Sequence, residues 1–135
     1  MHTRVVLVSI FGALLLSAPG CGASIDRQTT LDALRVALAE EIPSDDPTIL
    51  ENHNQLVVDA REGNVFLEMR RSEVQEQMGR GQECGARDLC ARGGFEADDW
   101  VYEVGQRDGV PWGPTLILGF DRQGVVEHVY SLTRR

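Results

Sequence analysis

From Asp99 onward the apolar residues of this chain recur at every second position, whereas ahead of it they recur at helical spacing. Trp100, Tyr102 and Val104 alternate with Val101 and Glu103, and the run TLILGF puts Leu116, Leu118 and Phe120 on one face. VVEHVYSL supplies a third strand from Val125 to Leu132. Turn residues join the strands. Arg107-Asp108-Gly109 and the proline-flanked Pro111-Trp112-Gly113-Pro114 link the first pair, and Asp121-Arg122-Gln123-Gly124 makes a tight hairpin with glycine available for positive φ. Two successive hairpins form an antiparallel meander. The expected architecture is therefore α+β, with N-terminal helices packed on one face of a three-stranded antiparallel β-meander.

The helices are written in their boundaries. Thr30 is expected to cap the first, and Leu31, Leu34, Val36, Leu38 and Ile42 keep an apolar face through TLDALRVALAEEI until Pro43 stops it. Asp46-Pro47 opens a second with an Asx cap and a proline where the missing N–H costs nothing. Ile49, Leu50, His53, Leu56, Val57 and Ala60 then recur at helical spacing, and Gly63 ends the segment. His53, on that apolar side, is expected to be satisfied by a neighbour rather than to bind a ligand. In SEVQEQMG, Ser72 and Gln75 suggest a capping box, Val74 and Met78 pair one turn apart, and Gly79 terminates. The glycine-rich, charged RGQECGARDLCARGG reads as an irregular loop.

The N-terminus carries an address. Arg4, the uncharged run VVLVSIFGALLL (Val5 to Leu16) and the small residues from Ser17 to Ser24 have the three-part layout of a secretory signal. The run is about half the ~20 residues a spanning helix needs. Ala18-Pro19-Gly20-Cys21 resembles a bacterial lipobox, in which Cys21 is acylated and becomes the first mature residue; cleavage after Ala23 is the other reading. Acylation would make membrane lipid a partner through Cys21. Gly22 in place of an inner-membrane-retaining Asp sends the product by default to the periplasmic face of the outer membrane. The alternative is a soluble periplasmic or secreted protein. The chain divides into a signal peptide (1–20), a tether (21–28) and a single domain (29–135). Its formal charge of −8 and lack of a basic stripe exclude nucleic acid as a natural partner.

Two separated regions carry a family likeness. MRRSEVQEQMG (Met69 to Gly79), followed by DWVYEVG and LILGFDRQGVVEHV, is similar to the small outer-membrane lipoproteins of the BamE type, also called SmpA/OmlA. Met69, Glu73, Val74, Gly79, Trp100, Tyr102, Phe120, Asp121, Gly124 and Val126 fall where that family's pattern puts its residues, between Phe66 and Leu132. Glu68 stands where the family has a turn glycine, and Arg70 where it often has a Ser or Thr cap. The resemblance implies a non-catalytic lipoprotein that supports outer-membrane protein assembly or envelope integrity through protein contacts, with β-barrel assembly proteins as partners. The region from Thr29 to Gly63 is longer than in typical members. A second reading is a binding or inhibitor module, because proteinaceous β-lactamase inhibitors use a similar helix–sheet layer in two tandem copies.

The remaining constellations point away from catalysis. Cys84 and Cys90, close together in a loop, are expected to form a disulfide in an oxidising compartment. A zinc site would need two further ligands, with only His53 and His128 at hand, so no metal is expected. Asp98 and Asp99, with Glu96, read as a solvated acidic loop. His128, Ser131 and an aspartate could suggest a hydrolase triad, but there is no glycine-flanked serine elbow. No phosphate-cradling loop or zinc-protease motif is present, and neither an enzyme nor a cofactor is expected. Trp112, held between Pro111 and Gly113-Pro114, is the candidate partner-binding residue.

Overall fold

The structure is a computed structural model that describes residues 26–135. The expected signal peptide, the acylation candidate Cys21 and the expected tether up to Ile25 lie outside the described residues.

Helix α1 (Arg27–Leu38) starts earlier than expected, inside the stretch read as tether. Asp26, not Thr30, is its cap: the Asp26 carboxylate accepts from the Thr29 N–H at 2.8 Å, which holds its pKa below the ordinary value. Thr30 is instead buried one turn in. The helix also ends earlier, so the apolar spacing that continues to Ile42 is not helical. The Ile42 N–H donates to the Gln106 carbonyl at 2.7 Å and its side chain is fully buried, while Val36 faces outward.

Helix α2 (Pro47–Glu62) follows its local signals, with Asp46 accepting from the Thr48 N–H at 3.0 Å and Gly63 closing the last turn. Helix α3 (Arg71–Met78) ends at Gly79, whose φ of +77° suits glycine. Its start corrects the expected capping box. Arg70 is the N-cap and makes no side-chain cap bond, because a guanidinium has no acceptor to offer; strand-like contacts fix the backbone there instead. The Arg71 N–H donates to the Gly124 carbonyl at 3.0 Å, and Arg70 bridges Val125.

The expected loop holds two short elements, strand β1 (Gln82–Glu83) and helix α4 (Asp88–Arg92). Then come β2 (Trp100–Glu103), β3 (Gln106–Arg107), β4 (Val110–Pro111), β5 (Thr115–Phe120) and β6 (Val126–Leu132). The expected three-strand meander is corrected to a four-stranded antiparallel sheet of order β1-β2-β5-β6, with β3-β4 as a separate ribbon. Bonds from Cys84 N–H to Asp99 O and from Gly85 N–H to Ala97 O, both 2.8 Å, bring β1 alongside β2.

Both faces of the sheet are covered. On one, Trp100, Tyr102, Leu116, Leu118 and Phe120 share a core with Leu31, Leu34, Val57, Ala60 and Val74 from the helices. On the other, Val101 and Ile117 pack with Cys84, Cys90 and Phe95. This accounts for TLILGF being buried at every position after Thr115: alternate residues enter different cores. Among the described residues no helix is long and apolar enough to cross a membrane.

Candidate functional site

Trp112 follows β4 and is fixed by its own backbone, with its N–H donating to the Gly105 carbonyl at 2.8 Å. The next residue has to be glycine. Gly113 has φ +137°, and a Cβ there would overlap the Val104 carbonyl. The indole is half-buried, and two guanidinium groups lie over it, Arg107 at 3.5 Å and Arg134 at 4.3 Å from the ring centroid. Arg107 is held by donating from Nε to the Ile42 carbonyl at 3.0 Å. Arg134 is held through its main chain: its N–H donates to Asn54 Oδ1 at 2.8 Å, and its carbonyl accepts from Asn54 Nδ2 at 2.7 Å.

The expected bare loop tip is thus a clasp that joins the ribbon, residues 42–43, α2 and the C-terminal residues. Among the described residues neither Arg107 nor Arg134 has a carboxylate partner, so donor capacity remains beside a half-open tryptophan. Sequence reasoning missed Asn54, Arg107 and Arg134. Arg107 was visible only as a turn flank, and nothing local marks Arg134.

His53 lies next to the clasp and is 3 % exposed. Its Nδ1 is 2.7 Å from the Val104 carbonyl, which can only accept, so Nδ1 donates. Nε2 faces Glu40 Oε1 at 2.9 Å. Both ring nitrogens are engaged, as expected of a histidine satisfied by its neighbours.

Asp98 and Asp99 behave differently. Asp98 is exposed and reaches Arg71 at 3.2 Å, in keeping with a solvated loop. Asp99 corrects that reading, with 1 % exposure and both oxygens engaged. Oδ1 accepts from the Phe120 N–H at 2.9 Å and Oδ2 from the Glu96 N–H at 2.7 Å, so the carboxylate ties the start of β2 to the end of β5. His128 stacks on Phe95 at 4.4 Å, while Ser131 projects to the opposite face of β6, so the two do not come together.

Cys84 and Cys90 are joined, with Cα atoms 5.9 Å apart, and both are buried against Val101 and Ile117. Among the described residues no group of His, Cys, Asp and Glu is placed to hold a metal ion. Fold and site together define a small disulfide-closed α+β layer with an arginine–tryptophan clasp. Comparison with protein-family models, curated proteins and solved structures gives no match.

Proposed function

We propose that this chain is a non-catalytic lipoprotein, anchored through acylated Cys21 to the periplasmic face of the outer membrane, that supports outer-membrane protein assembly or envelope integrity by contacting other proteins. The observation that carries this reading is how the residues of the BamE-like pattern meet. Val126 N–H donates to the Met69 carbonyl at 2.8 Å, and Tyr102 Oη donates to the Gly79 carbonyl at 2.7 Å. Burial raises the Tyr102 pKa, which keeps that donor protonated. Trp100 meets Phe120 edge-on at 5.1 Å, and Asp121 Oδ1 accepts from the Gln123 and Val125 N–H groups at 2.8 and 3.0 Å. The α3 residues, the Trp-x-Tyr strand and the Phe-Asp-x-x-Gly turn therefore support one another, which is what supports reading them as one pattern.

A buried disulfide suits an oxidising compartment. The contact residue in this reading is Trp112, presented with Arg107 and Arg134; tryptophan and arginine are the side chains most often dominant at interfaces. Metal and cofactor have no part in it.

The test is a crosslinked pull-down of the full chain from its own envelope fraction, beside Cys21→Ser and Trp112→Ala forms, with every bound protein identified. β-Barrel assembly components recovered by the parent and lost from both variants are the expected result. Recovery of a soluble enzyme instead would move the chain to the inhibitor-module reading, and binding unaffected by Trp112→Ala would remove Trp112 from the contact.

A further inference from the structure

Val36, whose spacing suggests a core residue, is 64 % exposed, the most exposed large apolar side chain among the described residues. It stands over an open cleft of about 430 Å³ between α1 and α2, lined also by Ala33, Ala37 and Leu56. Asp32 and Glu40 line the same cleft. Positions 32, 36 and 40 are each four apart, which places acid, valine and acid in a row along α1 and just past its end. Eight positions separate the two acids, with Glu40 two residues beyond the last helical residue of α1.

Each acid is about half exposed at its side chain, at 49 % and 47 %. Each also uses one oxygen within the chain. Asp32 Oδ1 accepts from Gln28 and Arg35, and Glu40 Oε1 faces His53. Oδ2 and Oε2 make no hydrogen bond among the described residues. The small side chains of Ala33 and Ala37 leave room for a close approach.

An apolar cleft with a carboxylate at each end complements a helix that presents apolar side chains between two basic ones. Basic residues at i and i+7 lie on one face of such a helix about two turns apart, with the apolar side chains between them. The formal charge of −8 adds long-range attraction for the same occupant. We propose that the α1–α2 cleft docks a basic amphipathic helix of a protein partner, with Val36 as its central contact and Asp32 and Glu40 as its charge pair. The proposal stands apart from the Trp112 contact and does not depend on acylation of Cys21.

The test measures fluorescence anisotropy of a labelled synthetic helical peptide made only of leucine and lysine, titrated with the full chain. Its partner peptide has the same pattern with glutamate for lysine. The lysine peptide is expected to bind and the glutamate peptide not to. Val36→Arg is expected to weaken binding at least about tenfold. Val110→Arg, which changes the other strongly exposed valine (61 %) on the separate ribbon, should leave binding unchanged. Because Val36 is exposed and arginine is a good helix former, the variant keeps its helix, which far-UV circular dichroism verifies. Binding unchanged by Val36→Arg, equal loss in both arginine variants, or equal binding of the two peptides would each overturn the proposal.

Discussion

Asp99 is a carboxylate with almost no exposure, and it is stable there because two main-chain N–H groups take its two oxygens. Removing it strands both donors. A buried unsatisfied donor costs about 1–3 kcal/mol, which applies in full to the Phe120 N–H but not to the part-buried Glu96 N–H, so Asp99→Ala is expected to lower unfolding free energy by roughly 2 kcal/mol in urea titration. Asp98→Ala, which removes only a surface contact to Arg71, is expected to change it by less than about 0.5 kcal/mol. Equal losses would mean that Asp99 does not join β2 to β5. The two aspartates are adjacent and identical in type, and the sequence offers nothing to separate them. Their difference comes from the turn at Glu96, which aims one side chain inward. His53 was legible because its position on an apolar helical face already requires a partner, although Val104 and Glu40 could not be named. Trp112 was legible as an unusual residue but not as a covered one, since the guanidinium groups over it arrive from Arg107 and from the far end of the chain.

Elements with local signals at both ends were readable, and those defined by distant partners were not. Asp46, Pro47 and Gly63 bound α2 within the segment itself. The end of α3 was equally clear at Gly79, but its start depends on the Gly124 carbonyl and the bridge to Val125, contributed by the last hairpin. Neither β1 nor α4 is long enough to show a period; they form where the Cys84–Cys90 link and the Asp99 and Ala97 carbonyls hold the chain. The α3 start also leaves an opening for improvement. Arg70 occupies the N-cap in extended conformation without a side-chain bond, so the N–H groups of Ser72 and Glu73, unlike that of Arg71, lack a capping acceptor. Arg70→Ser preserves the main-chain bridge and supplies an acceptor. It is expected to stabilise the protein by about 0.5–1 kcal/mol, read as a higher urea midpoint at unchanged slope. A lower midpoint would show that the arginine side chain contributes something that the missing cap conceals.

At the scale of the whole molecule, the change of period at Asp99 was sufficient for the α+β class, because a sheet with helices ahead of it has few ways to bury both. What it could not supply is the closure at the C-terminal residues. Asn54 and Arg134 are 80 positions apart, and the two bonds from the Asn54 side-chain amide to the Arg134 main chain bring the residues after β6 back onto α2 while the Arg134 guanidinium covers Trp112. The two parts are separable. Arg134→Ala keeps both bonds to Asn54 and loses only the ring contact, worth about 0.5–1 kcal/mol at an exposed site. Asn54→Ala loses both bonds at about 1 kcal/mol each and releases the guanidinium with them. Stability is therefore expected to fall more for Asn54→Ala than for Arg134→Ala, whereas acrylamide quenching of tryptophan fluorescence should rise in both. Trp100 is 4 % exposed and stays dark to the quencher, so the change reports on Trp112. If Asn54→Ala leaves quenching at the parent level, the arginine is positioned by the ring alone, and the contact surface proposed around Trp112 then needs no anchor on α2. If quenching rises as expected, Asn54 on α2 sets how far the Trp112 ring is covered, and the surface proposed there extends to α2 and the C-terminal residues.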